Sequence, residues 1–488
     1  MRAAECFSSF ADCERYLEGL GLFRMTPGLD RMRDMLGRIG LTRPPYAVIQ
    51  VVGTNGKGST ATMLERLARE HGLRTGLHTS PHFVSVRERV RVNGAPLPEA
   101  EWAALGNILI RHGGEALSYF EFVTCLAVLG FARFGEGAGV DVAVMETGLG
   151  GSFDATTALE ADLLVFTPID IDHQAVLGRT LREIAADKAG AIRAGKLAIS
   201  APQRPEAWAE LDRAARERGA ALREIAVEGG GLELRLHGEH QQANARLALA
   251  AWRELLDAAR RGALPAPAAV KVAACSGAMP DEVSRQTGTL TEKRGLASAW
   301  LPGRMQRLPA LRAAPGGALG AARASEADMF SPCALGWPPL LLDGAHNSHG
   351  LAALGLCLAR EGVAPLAVIF SCLGDKDLDT LLPHLRTLAT GLIVVPPIAG
   401  NPRAIPPAEL AALIGVNAIP ADSLPAALTI AAEHMADSMP ELFDPAFARA
   451  RQHPLLLCGS LYLLGEFYAL RPSALEDALE GALLGTAT

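Results

Sequence analysis

The eight cysteines of this 488-residue chain form no CxxC pair, no long basic stretch occurs, and no apolar run is long enough to cross a bilayer. Each absence removes a class of protein. Cys6, Cys13, Cys125, Cys275, Cys333, Cys357, Cys372 and Cys458 are scattered, which reads as reduced thiols, several of them buried as small hydrophobes. A spanning helix needs about 20 consecutive apolar residues, and none is present. The opening MRAAECFSSFADCERYLEGL lacks the apolar core of a signal peptide. A soluble cytoplasmic protein with no membrane partner is therefore expected. Net charge is −7, so the electropositive footprint of a nucleic-acid binder is missing, although a small anion can still be held by local amides and a few cations. No repeat with a period of about 20–50 residues is visible. Aromatic residues are scarce at 5%, while the 50 glycines and many alanines suit the close helix–strand packing of an α/β protein.

What is present is the composition of a folded globular chain, 49% hydrophobic and 20% charged, and long enough for two domains. Short β-branched runs at 46–52, 140–145, 163–167 and 197–200 alternate with amphipathic stretches such as 60–71 and 180–193. That alternation predicts a mainly parallel sheet with helices on both faces. Periodicity weakens from about residue 259 to 300 and resumes with candidate strands at 340–342, 366–370, 392–395 and 454–458. The expected fold is α/β, with an N-terminal P-loop-type domain over 1–297 and a smaller Rossmann-like domain over 298–488. The stretch 313–339, rich in Gly, Ala and Pro, reads as a loop insertion.

The strand at 46–52 runs straight into GTNGKGST: Gly53, Thr54, Asn55, Gly56, Lys57, Gly58, Ser59 and Thr60, followed by a helical pattern. Glycines let backbone amides surround a phosphate, and the helix N-terminus turns its dipole towards the anion. Lys57 adds a cation for the β- and γ-phosphates, and Ser59 or Thr60 can reach a Mg²⁺ ion. The spacing departs from GxxxxGK[ST], because Gly53 lies too near Lys57 and Gly58 precedes Ser59.

GTNGKGST resembles the phosphate loop of the Mur ligase superfamily, and in particular its folylpolyglutamate synthase/dihydrofolate synthase branch. Further segments match that branch in order: PGLDRMRDMLGRIG, HTSPHFVSVRERVRVNG, SYFEFVT, METGLGGSFDATT, IDIDHQAVLGRTLREIAADKAG, HQQAN, PGR, LLDGAHN, GDKD and GSLYLLGE. The resemblance spans nearly the whole chain.

Glu146, at the end of a predicted strand, and His173, after the next, stand where open α/β sheets place ligand groups. Mg²⁺ prefers oxygen, so an imidazole is an unusual partner for it and Mn²⁺ is also open. The resemblance implies metal contacts for Ser80, Glu146 and His173, with Ser59 or Thr60 assisting, and a carbamylated Lys188 serving a second Mg²⁺. Further along the chain, Asn244 is suited to the adenine edge, Arg304 to the triphosphate, Asp343 to a ribose, and His346 to the γ-phosphate or the amino acid. The resemblance assigns these four to nucleotide binding. GDKD either positions a glutamate-receiving loop or caps a helix through Asp375 or Asp377.

The activity implied is that of an ATP-dependent carboxylate–amine ligase: ATP phosphorylates a carboxylate, an amine attacks the acyl phosphate, and phosphate leaves. In the folate branch the carboxylate is dihydropteroate or a folate and the amine is L-glutamate. Lys57, His173, Lys188, Arg304 and His346 are the candidate catalytic residues. Ser118, Tyr119, Phe120, Glu121, Phe153, Asp154 and Ala155 match segments lining the pterin pocket, where Phe120 and Phe153 either stack on the flat ring or fill the core. Ser152-Phe153 replaces the usual Arg-Leu, Thr157 the usual Asn, and Ser348 the usual Pro. A peptidoglycan ligase is the second reading, disfavoured because a phosphate loop beginning at Gly53 leaves no room for that branch's N-terminal domain. A non-catalytic ATP-binding relative is the third. A monomer is expected.

Overall fold

The computed structural model describes residues 7–21, 28–134, 139–226, 231–275, 288–312, 332–415, 417–447 and 452–475. Cys6, the start of the PGLDRM segment and most of the expected loop at 313–339 lie outside the described residues. The chain divides into two compact units, Met1–Arg235 with His240–Trp300, and Leu236–Glu239 with Leu301–Thr488.

The first unit is built on strands β1 (Ala47–Val52), β2 (Thr75–His78), β3 (Val90–Val92), β4 (Ala95–Pro96), β5 (Val142–Glu146), β6 (Leu163–Phe166), β7 (Leu197–Ser200) and β8 (Ala221–Glu224), in the spatial order β4-β3-β2-β5-β1-β6-β7-β8. All neighbours pair in parallel except at β3 and β4, which form an antiparallel edge beside β2. β1 is buried throughout, as a central parallel strand covered on both faces must be. Its one polar residue, Gln50, donates from Nε2 to the hydroxyls of Thr156 and Thr157, at 3.0 and 2.7 Å.

Helices cover both faces of this sheet. Tyr119–Arg133 is apolar nearly all round and buries Phe122, Leu126 and Phe131 with Trp102 and Met145. It opens on a capping box of Ser118 and Glu121. On the other face Leu181–Ala189, opened by a Thr180–Glu183 capping box, packs Ile184 with Phe166 and Leu211. The helix expected at 60–71 begins three residues earlier, at Lys57, because Gly56 adopts a left-handed conformation (φ 85°) and starts it at once.

The second unit carries β9 (Gln306–Leu308), a small ladder of β10 (Leu311–Arg312) with β11 (Gly336–Trp337), and β12 (Leu340–Leu342), β13 (Ala367–Phe370), β14 (Leu392–Val395), β15 (Ala418–Pro420) and β16 (Leu455–Cys458). Its main sheet runs β15-β14-β13-β16-β12-β9, parallel except for β9. Leu341, Val368, Phe370, Leu385 and Leu456 form its core with the flanking helices. The α/β class, with a large mainly parallel sheet and a second smaller one, is as expected.

Candidate active site

Register aligns the carboxyl ends of three neighbouring strands. Val51 pairs with Glu146 and Val52 with Phe166, so residues 53, 147 and 167 emerge side by side. The phosphate loop is latched to the segment after β6: Thr54 and Asn55 donate their amides to Pro168 O, and Thr54 Oγ1 lies 3.0 Å from both Asp170 O and Asp170 N. Two glycines are dictated by this closeness. A Cβ on Gly53 would stand 1.9 Å from Thr167 Oγ1, and one on Gly56 would stand 2.4 Å from Asn244 Oδ1. Asn244 thus lies against the phosphate loop itself, its amide nitrogen donating to Gln241 at 3.1 Å.

Lys57 Nζ donates to Thr54 O at 3.1 Å, folding the cation back onto its own loop. Ser59 and Thr60 are buried in the first turn of the helix, and Thr60 Oγ1 has no hydrogen-bond partner. Beside the loop, the Ser80 amide donates to Glu146 Oε2 at 3.0 Å, with Glu146 buried. His173 is held at φ 52°, a left-handed conformation unusual for a side chain with a Cβ, and its amide donates to Asp172 Oδ1.

Lys188 completes the group. It is buried in the last turn of Leu181–Ala189 and donates from Nζ to Gly53 O at 2.8 Å. Burial, aided by the charge of Lys57, lowers its pKa to about 7. The double glycine makes room for this helix. A Cβ on Gly151 would meet the Lys188 backbone at 2.6–2.9 Å, which only a missing side chain avoids. Ser152, in place of the usual Arg, donates both its amide and its hydroxyl to Asp187 O.

The expected pterin-pocket residues separate into different kinds. Phe153 is 61% exposed, so it is not core. Phe120 is half-buried and its ring packs 5.6 Å from that of His78. Glu121 is buried and bidentate to Arg31, at 2.8 and 3.1 Å, besides accepting from the Ser118 amide in the capping box. Asp154 accepts from the amides of Gly148, Leu149 and Thr156 and from the Thr156 hydroxyl, so its carboxylate shapes the turn that leads to Ala155. Tyr119 is buried beneath the Arg89 guanidinium, 5.4 Å from its ring. The sequence reading missed Gln50, although a lone glutamine inside AVIQVV was a visible signal, and it missed Thr167 and Asp170, which carry none.

In the second unit Asp343 uses both carboxylate oxygens on backbone: Met305 N at 2.9 Å and Ala345 N at 2.8 Å. Gly344 N donates to Gly303 O, and Arg304 lies so close that a Cβ on Gly344 would stand 2.2 Å from its guanidinium. His346 Nδ1 is 2.7 Å from Gly344 O. Asn347 caps the helix Ser348–Glu361 through Gly350 N, and Ser348 in place of Pro is compatible with that cap. Of the two readings of GDKD, Asp377 is the N-cap of Leu378–Leu388, while Asp375 pairs with Arg403 at 2.7 Å.

Among the described residues no three His, Cys, Asp or Glu side chains gather into a metal cage. The groups at the strand ends instead mix hydroxyl, carboxylate and imidazole. No helix of the described residues is long and apolar enough to cross a membrane.

Residues 336–471 match the family model of the dihydrofolate synthetase C-terminal domain. The chain is 31% identical over 418 residues to a Bacillus subtilis dihydrofolate synthase/folylpolyglutamate synthase, covering 78% of this chain and 84% of that protein. Among solved structures, Mycobacterium tuberculosis folylpolyglutamate synthase complexed with ADP superposes with a TM-score of 0.73 at 29% identity, over 94% of this chain and 98% of that one. A Yersinia pestis bifunctional folylpolyglutamate synthase/dihydrofolate synthase complexed with AMPPNP and Mn ion gives 0.71 at 26% identity, over 96% and 99%.

Proposed function

The chain belongs to the dihydrofolate synthase/folylpolyglutamate synthase family, and from that premise we propose that it joins L-glutamate to dihydropteroate, to a folate, or to both, at the expense of ATP. The observation that carries this reading is the convergence at three strand ends of the phosphate loop, Glu146 beside Ser80, and Lys188 on Gly53 O.

We assign triphosphate binding to the loop amides and to the N-terminus of Lys57–Glu70. Lys57 exchanges Thr54 O for phosphate oxygens and stabilises the charge that gathers on them during transfer. The substrate carboxylate takes up the γ-phosphoryl group, the glutamate amine attacks the acyl phosphate, and phosphate leaves. Ser59, Thr60, Ser80, Glu146 and His173 would hold a divalent cation. The orphaned, buried Thr60 hydroxyl is consistent with a ligand supplied by the substrate complex. Such a cation would neutralise the phosphates and polarise the transferred group. We assign Lys188 to a second cation as a carbamate. The lowered pKa leaves the neutral amine that carbamylation requires. Asn244, Arg304, Asp343 and His346 are assigned to nucleotide binding, and Phe120, with the turn of Phe153, Asp154 and Ala155, to the flat ring of the acceptor.

The test is ATP-dependent incorporation of labelled glutamate into dihydropteroate, tetrahydrofolate and a muramyl precursor, with and without chelator. Incorporation into a pterin acceptor that chelator abolishes is the expected result. Turnover of the muramyl precursor alone overturns the acceptor assignment, and ATP binding without turnover of any acceptor overturns the activity.

A further inference from the structure

His78 ends β2 with its side chain fully buried, and both ring nitrogens are engaged. Nδ1 lies 3.0 Å from Arg89 O and Nε2 3.2 Å from Thr124 Oγ1. A carbonyl only accepts, so Nδ1 carries the hydrogen. The Thr124 hydroxyl makes the second bond, to Nε2. The ring is therefore held from both sides.

The ring faces Phe120, with centroids 5.6 Å apart and planes at 35°. Phe120 and Thr124 are one turn apart on the helix Tyr119–Arg133, so the same imidazole packs against one and bonds the other. Phe120 also rests on Gly148, where a Cβ would stand 2.7 Å from Cζ. Arg89, whose carbonyl accepts from Nδ1 and from the Thr79 amide, donates from Nε to His82 at 2.8 Å. One histidine thus ties β2, the segment 79–89 and the helix carrying Phe120 together at one end of the sheet.

We infer that His78 is a positioning residue for the acceptor: hydrogen-bonded through both nitrogens, it packs against Phe120, which also rests on Gly148, and so sets how tightly the flat ring of the substrate is held. This rests on the assignment of Phe120 to the acceptor pocket. It adds a residue that touches no reacting atom and acts through Phe120 alone.

The experiment uses the full chain and measures KM for dihydropteroate, KM for ATP and kcat in His78→Phe, Thr124→Val, Phe120→Ala and the double variant His78→Phe/Phe120→Ala. His78→Phe keeps an aromatic ring but loses both hydrogen bonds, and is expected to raise KM for dihydropteroate about five- to tenfold, with kcat and KM for ATP within about twofold. Thr124→Val, nearly isosteric, is expected to raise the same constant about two- to threefold. The double variant is expected to match Phe120→Ala alone, because a residue acting through Phe120 has nothing left to position. Additive effects in the double variant overturn the inference, as does an unchanged KM for dihydropteroate in both His78→Phe and Thr124→Val when Phe120→Ala raises it. If Phe120→Ala leaves that KM unchanged, the pocket assignment itself falls. Should His78→Phe fail to fold, Thr124→Val and its double variant with Phe120→Ala decide the matter by the same criteria.

Discussion

Each unit presents a glycine-bearing turn at the carboxyl end of a parallel strand, yet the two turns use their charged residues differently. At residues 53–60 the charges rest on groups that a substrate can replace: Lys57 and Lys188 both donate to single backbone carbonyls. At residues 343–346 the carboxylate of Asp343 is fixed by two amides, one from its own turn and one from Met305. A charge held by one contact can exchange it for another oxygen, whereas a carboxylate bonded on both oxygens also defines the path of the chain. The same type of motif therefore holds its charged groups by single carbonyls in one unit and by paired amides in the other.

The largest effect that would sharpen this contrast is on Lys57. Lys57→Ala should lower kcat about a hundred- to a thousandfold while leaving the melting temperature within a few degrees, as calorimetry and steady-state kinetics would show. A large loss of stability would place Lys57 with Asp343 instead. Lys188→Ala should likewise abolish most turnover. In wild-type protein prepared free of carbon dioxide, activity should fall and return with bicarbonate, with a carbamate resonance appearing under labelled bicarbonate. Activity indifferent to bicarbonate would remove the carbamate from the reading. Asp343→Ala should cost about 3 kcal/mol in denaturant melts, because two buried amides lose a charged acceptor, and unchanged stability would break the comparison.

A smaller effect comes from the buried amine itself. The folded pKa of Lys188 is about 7, against an ordinary value of 10.5. Below about pH 7 the folded protein bears the full cost of a buried ammonium. As pH rises towards 10.5 the unfolded chain holds the extra proton, so folded stability increases. Melts of ligand-free wild type against Lys188→Met across that window should show a rise with pH in the former that the latter lacks. The smallest effect concerns Asp377, whose replacement by Ala should cost about 1 kcal/mol as a lost N-cap. A changed KM for glutamate beyond twofold would return GDKD to a binding role.

Much of the fold was legible because buried parallel strands are short apolar runs. β7, β12 and β14 occupy the positions expected for them, and β1, β5, β6, β13 and β16 differ only at their ends. β2 was missed, since TGLH contains a threonine and a histidine that read as loop until Glu65 and Thr124 are seen to satisfy them. β8 was missed because it is an exposed edge with no apolar signature. In the site, the phosphate loop and Glu146 were visible as motifs at strand ends. The backbone amides that hold Glu146, Asp154 and Asp343 came into view only in the structure.

The order of residues by itself determined the α/β class, the glycine loop and the identity of the charged groups, because apolar periodicity and turn chemistry act over a few residues. Only the tertiary structure decided what each of those groups contacts. That depends on contacts 100 or more positions apart, such as Lys188 with Gly53 and Gln50 with Thr157. Burial there lowers the pKa of an amine and aims a side chain, and neither effect exists until the sheet brings the strand ends into register.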